Sequence, residues 1–195
     1  MKKFLIAFVA VIAVLLGITM LLPSEYSVER SVTMDAPAET IFAHVNDFKQ
    51  WPNWMPWIQK DPNMALTFGE KTSGEGAWYS WTSENPEVGN GKLSIVEVQP
   101  GSFIKTKLEF EGQDPGYGTW TFEPSGEQTT VTWGMAGDMG MNPVGKVFAQ
   151  LMDGMVGPDF EKGLASIKSI TEKEFEEAKL MEAQEEMAAD STAVE

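Results

Sequence analysis

The chain has 195 residues, a formal net charge of −15, one histidine and no cysteine. Without cysteine there can be no disulfides, thiolate nucleophiles or cysteine-ligated metals. The acidic balance argues against a nucleic-acid partner, because neutralising a phosphate backbone takes clustered Lys and Arg.

Phe4 to Leu22 is a run of nineteen uncharged residues. As a helix at about 1.5 Å per residue it would reach roughly 28 Å, close to the thickness of a hydrocarbon core. Lys2 and Lys3 precede the run, while Glu25, Glu29 and a single Arg30 follow it. The positive-inside rule therefore places the N-terminus in the cytoplasm and the following domain outside it, in the periplasm if the cell is Gram-negative. A cleaved signal peptide would have a shorter apolar region and a small-x-small site, which LLPSEYS does not offer. The reading is an uncleaved, single-pass membrane anchor. Pro23 to Glu25 reaches only about 10 Å when extended, so the domain would be held near the bilayer.

Tyr26, Val28, Val32 and Met34 share one side of a strand. Arg30 falls in that register, which leaves it paired in a polar pocket or at an exposed strand end. Asp35-Ala36-Pro37 opens a helix with Ile41, Phe42, Val45 and Phe48 as its apolar stripe and His44 at the stripe's edge. WPNWMPW follows, with Trp51, Trp54 and Trp57 at i, i+3, i+6. Its two prolines allow a single helical turn or an irregular loop. The three rings can fill a core corner, line a cavity mouth or anchor at a membrane interface. From Met64 to Asp138 the chain reads as six strands with short connections, a meander. Ile104, Thr106, Leu108 and Phe110 point one way and Lys105, Lys107 and Glu109 the other, which predicts one buried face and one wet face.

Asn142 is a good N-cap and Pro143 suits the first helical position. Val147, Phe148, Leu151, Met152 and Met155 then recur at helical spacing, and Phe160, Leu164, Ile167 and Ile170 form a second run. Gly157-Pro158 between them predicts a kinked or two-piece helix with one apolar face against the sheet. Beyond Ile170, residues 174–195 carry eight acids and one lysine with few apolar positions. This predicts a frayed, solvated acidic extension.

The order strand, helix, tryptophan-rich turn, six strands and long helix, with the segments VERSVTMDAPAETIFAHVNDFKQWPNW and GPDFEKGLASIKSI, resembles the helix-grip fold. This is the START/birch-pollen-allergen-like superfamily, also called SRPBCC or polyketide cyclase/dehydrase-like, and the resemblance covers about Tyr26 to Thr171. The chain is also similar to a bacterial subgroup with an N-terminal membrane span. The resemblance implies an α+β fold, a curved antiparallel sheet of about seven strands around the C-terminal helix, with a cavity between them for apolar or amphipathic small molecules. The superfamily mixes transporters, binding proteins, cyclases and chaperone activators, so it implies no catalytic set, and one fold hosts many functions. The expected organisation is a membrane anchor over 1–23, a helix-grip domain over 24–172 and an acidic helical-to-disordered tail over 173–195.

Motifs for chemistry are few. There is no HExxH, paired histidine, GxSxG or P-loop, and no cofactor or metal is expected. Asp153, Asp159 and Glu161 lie close in sequence without the periodicity of a calcium loop, and read as surface acids. No catalytic residue is assigned. Seven tryptophans, eleven phenylalanines and twelve methionines instead suit an adaptable apolar pocket. Strand-side Tyr79, Trp81, Trp120, Phe122, Trp133 and Met135 would face helix-side Phe148, Met152, Met155 and Leu164, with Trp51, Trp54 and Trp57 at the mouth. The alternative is that these rings pack solid. The leading expectation is a membrane-tethered domain that binds a hydrophobic or amphipathic small molecule or lipid without altering it, the tryptophan mouth facing the bilayer. One alternative is a cyclase-, dehydratase- or hydrolase-like enzyme using Glu97, Asp138 or His44 as base. Another is an interaction module in which the acidic tail engages a basic partner protein.

Overall fold

Alternating apolar and polar positions build the sheet, and small residues at chosen points bend it. In the computed structural model, which describes residues 2–193 apart from the side chains at 5, 6, 9, 11–16 and 190–193, seven strands form one antiparallel sheet. They are β1 (Glu25–Met34), β2 (Ala65–Phe68), β3 (Trp78–Thr82), β4 (Gly91–Gln99), β5 (Phe103–Phe110), β6 (Gly116–Ser125) and β7 (Gln128–Asp138). The spatial order is β1-β7-β6-β5-β4-β3-β2, a meander closed by the first strand pairing with the last. Arg30 of β1 lies opposite Trp133 of β7, so the arginine points to the inner face. A bulge between Ile95 and Glu97 interrupts the β4–β5 ladder and adds curvature. The β6–β7 hairpin turns on Gly126, whose φ of +66° is open to glycine at little cost.

Four helices accompany the sheet: α1 (Lys2–Met20), α2 (Ala38–Asn46), the short α3 (Pro56–Lys60) and α4 (Pro143–Ala193), with a 3-10 turn at Trp51–Asn53. The sequence WPNWMPW thus makes two short helical turns where one was expected. Asn142 caps α4 as its residue type predicts, its side-chain oxygen accepting from the Val144 N–H at 2.9 Å. The helix lies across the inner face of β1 and inside the curve of the sheet.

Of the kinked or two-piece helix expected for α4, the two-piece form is corrected: α4 runs as one helix of 51 residues through Pro158. Proline removes one intrahelical bond, at a cost of about 3 kcal/mol. Packing on both sides of the proline offsets it, with Met152 and Val156 half-buried against the core before it and Asp159, Phe160 and Leu164 buried after it. The helix also continues through the acidic segment to Ala193, with most side chains over 173–189 exposed. At 1.5 Å per residue α4 is about 77 Å long, far longer than the sheet it crosses.

Polar contacts fasten α4 to the front of the chain. Arg30 reaches Asp153 at 2.8 Å and Glu161 at 2.8 Å. Asp159, only 5% exposed, accepts from Lys60 Nζ at 2.6 Å. Glu172 accepts from the Asp35 N–H at 2.7 Å, and Glu174 pairs with His44 Nε2 at 2.7 Å. Asp153 and Glu161 are surface acids, as expected, and also pair with Arg30, whereas Asp159 is buried and fastens the helix to Lys60. Their spacing of roughly one to two turns put them on the face that meets β1 and α3, which charge alone did not reveal.

Arg30 crosses α4 at Gly157, where a Cβ would overlap its guanidinium. Arg30 holds the Asp153 carboxyl below its ordinary value of 3.8, by hydrogen bonding first and charge second. A carboxyl lowered in the folded state stabilises the fold above its unfolded pKa and loses that contribution as pH falls through the folded one. We expect Arg30→Met to lower the melting temperature at pH 7, with the gap to wild type closing as pH falls below about 3.8. A gap that persisted unchanged at pH 2 would show that packing, and not charge, holds this crossing.

The expected anchor has a helix in place, α1. Among the described residues no helix is long and apolar enough to cross a membrane. The apolar positions 5, 6, 9 and 11–16, on which the 4–22 expectation chiefly rests, lie outside the described residues. The end of α1 is fixed against α4: Lys146 Nζ donates to the Met20 carbonyl at 2.8 Å and Gln150 Nε2 to the Pro23 carbonyl at 3.0 Å.

Candidate ligand cavity

One half of the interior is solid aromatic packing. Trp120 stacks on Trp133 at 4.4 Å between centroids, and Trp133 stacks on Phe160 of α4 at 3.9 Å and 5°. This three-ring slab bridges β6, β7 and α4. Trp54 meets Trp120 edge-on at 5.6 Å, and Trp57 meets Trp133 at 6.0 Å and 88°. Offset and edge contacts of this kind add to what burial alone contributes. Gly163 permits the fit, since a Cβ there would lie 2.8 Å from the Trp133 ring.

The other half is open. A cavity of about 650 Å³ lies between the inner face of the sheet and α4, with Trp133 and Phe160 at its closed end. The inner positions of β6 explain the division. They read Gly116, Gly118, Trp120 and Phe122, so the strand presents no side chain on one side and two large rings on the other. A Cβ on Gly118 would stand 2.5 Å from Thr106 Oγ1, and one on Gly116 3.0 Å from the Tyr26 hydroxyl. At the opposite end the lining includes the connections after β3, β5 and β7, through Glu87, Gly112, Gln113, Asp114, Met139 and Asn142.

The thirteen residues expected to bind ligand divide between these halves. Trp51, Trp57, Tyr79, Trp81, Trp133, Met135 and Met152 line the cavity. Trp54, Trp120, Phe122 and Leu164 belong to the solid core, at 0–3% exposure. Phe148 and Met155 point outward, 47% and 55% exposed. The tryptophans do not form a lipid-facing mouth. Trp51 and Trp54 are buried, and Trp51 donates its indole N–H to the Val45 carbonyl at 2.9 Å. The core corner was the right one of the three options for Trp54, and its double proline context turns the rings inward.

Sequence reasoning missed Tyr26, Met55, Leu93, Thr106, Leu108, Val156 and Phe160 as cavity wall. The inner-face glycines of β6 were the available signal, since two absent side chains on a buried face require something else to fill the space.

Two of the three candidate bases stand elsewhere. His44 is buried beneath α4 and does not line the cavity. Glu97 lies at the β4 bulge, exposed, and accepts from Gln99. Asp138 does reach the cavity, at its rim. Hydrogen bonds from Ser24 and from the Gly140 N–H hold its carboxyl below the ordinary value. An acid stabilised as the anion is a weak general base at neutral pH.

A curved antiparallel sheet gripping a long C-terminal helix over an internal apolar cavity defines a helix-grip ligand-binding fold. A family described as "Polyketide cyclase / dehydrase and lipid transport" matches residues 25–172, and the chain belongs to that family. A curated relative, the ribosome association toxin RatA of Pseudomonas aeruginosa, is 27% identical over 139 residues, covering 66% of this chain and 89% of the relative. Among solved structures, the di-domain aromatase/cyclase StfQ of the steffimycin pathway matches with a TM-score of 0.60 at 13% identity, over 77% of this chain and 51% of that one. Norcoclaurine synthase from Thalictrum flavum matches with a TM-score of 0.55 at 13% identity, over 77% and 95%. At such identities the structural likenesses establish the fold alone.

Proposed function

We propose that the chain is a membrane-tethered binding protein that holds a hydrophobic or amphipathic small molecule between sheet and α4. The observation that carries this reading is the cavity of about 650 Å³, with eight aromatic residues and five methionines in its wall. That size lies within the range of small-molecule pockets, and its few polar groups suit orientation more than chemistry. The test is uptake of a neutral apolar fluorophore such as 1-aminoanthracene, read as emission that saturates with protein. A chain that produced no saturable signal would remove the reading.

The tether rests on the uncharged run from Phe4 to Leu22 and on the positive charges before it. The N-terminus would then be cytoplasmic and the cavity domain extracytoplasmic. The outward face of α4 supports this placement. Val144, Phe148, Leu151 and Met155 recur at i, i+4, i+7 and i+11, and are 47–61% exposed. They lie on the segment of α4 that holds the end of α1. Exposed apolar faces of this length mark contact with lipid or protein. Because the chain lacks cysteine, single probes at Phe8→Cys and Leu151→Cys in vesicles report the two contacts separately. Quenching of both probes by lipid-borne quencher is expected. A Phe8 probe fully accessible to water would overturn the tether.

The ribosomal role in the relative's name is not adopted here. A net charge of −15 opposes approach to a polyanionic RNA surface. His44 and Glu97 stand away from the cavity, which leaves the enzyme reading without a base among them.

A further inference from the structure

The cavity's polar groups divide by position, hydroxyls inside and acids with two amides at the open end. Inside, Tyr79 is 6% exposed and Thr106 2% exposed. Both line the cavity, and neither hydroxyl is among the buried, shut-off polar atoms that lack a partner, so both stay open to the cavity space. Burial alone pushes the Tyr79 hydroxyl up, so it stays a protonated donor. Thr106 Oγ1 stands in the space that Gly118 leaves empty. A hydroxyl open to the cavity gives up its water when a ligand enters, and a ligand atom that accepts from it replaces that bond. At the rim the charged groups are Glu87, Asp114 and Asp138, and no Lys, Arg or His lines the cavity.

We propose that the cavity selects molecules without negative charge: an uncharged or cationic amphipathic compound whose apolar body carries a hydrogen-bond acceptor for Tyr79 and Thr106. Fatty carboxylates and phosphate-headed lipids are excluded at the rim. Carboxylates around a low-dielectric opening focus a negative potential on the entry path, and the overall charge of −15 adds to it. The ring of acids is the gatekeeper for charge, and the two hydroxyls read the body of the molecule. This inference rests on the cavity taking up a ligand.

The experiment is displacement of bound 1-aminoanthracene from the full chain by dodecanol, dodecyltrimethylammonium and dodecanoate, which share one tail. Dodecanoate should be weaker than dodecanol by roughly tenfold or more. The variant Glu87→Gln/Asp114→Asn/Asp138→Asn should close most of that gap, and at high salt the gap should narrow. Dodecanoate binding as well as dodecanol in wild type overturns the charge rule. The body rule is read with 9-fluorenone against fluorene, tricycles that differ by one carbonyl. Tyr79→Phe/Thr106→Val should lower the fluorenone-to-fluorene affinity ratio by roughly threefold or more. An unchanged ratio overturns it. Failure of the fluorophore itself to bind wild type would instead remove the binding reading, which keeps the two failures distinct.

Discussion

Trp133→Ala should destabilise the folded chain by about 3–5 kcal/mol, the cost of deleting a large buried side chain. Trp133 is the middle ring of the slab, with Trp120 on one face and Phe160 on the other. Its removal takes away both stacking contacts and the edge contacts of Trp54 and Trp57. It would also join the cavity to the space left behind, so the core could not collapse onto it without shifting α4. Gly163, which leaves room for this ring, would face a gap. Trp133→Phe keeps a ring between its neighbours and should lose much less. Urea unfolding of both variants measures the difference. An alanine variant within 1 kcal/mol of wild type would show that the slab is not what joins α4 to the sheet.

The second large effect is on binding. Leu108, Met152 and Val156 face the open half from β5 and α4. Replacing all three by phenylalanine fills that space from two sides without adding a charge or an unsatisfied polar group. Loss of 1-aminoanthracene uptake is expected, by roughly a hundredfold or more in affinity, about 2.7 kcal/mol. The melting temperature should hold or rise, because apolar groups that enter an empty apolar space gain contacts. Retained uptake in a stable triple variant would place the fluorophore somewhere other than between sheet and helix.

The sheet was legible because its two faces differ. On β5, Lys105, Lys107 and Glu109 alternate with Ile104, Thr106 and Leu108, and a period of two fixes which side is buried. The first half of α4 was not legible in the same way. Met152, Val156 and Phe160 face the cavity, while Val144, Phe148, Leu151 and Met155 face outward. Both sets have helical spacing and both are apolar, so periodicity alone could not say which face meets the sheet. The sequence reading therefore placed Phe148 and Met155 in the binding site, and the structure turns them away.

The tryptophan segment failed for a related reason. Trp51, Trp54 and Trp57 look equivalent at i, i+3 and i+6, but the 3-10 turn and α3 send them to three different surroundings. Trp51 touches both core and cavity, Trp54 is wholly enclosed, and Trp57 covers the edge of the slab. Arg30 was ambiguous until its partners, more than 120 residues away in sequence, came into view. Long-range ion pairs leave no local pattern to read. The division between solid core and cavity was written in Gly116 and Gly118, whose missing side chains gain meaning only once their strand is known to face inward.

The measurement that bears most directly on the central claim is chemical. Wild type and the Leu108→Phe/Met152→Phe/Val156→Phe variant are purified identically as full chains, extracted with organic solvent, and the extracts compared by mass spectrometry. The account predicts an apolar molecule without negative charge in the wild-type extract, near one per chain, and its loss from the filled variant. Extracts that match in every component would contradict a ligand held between the sheet and α4.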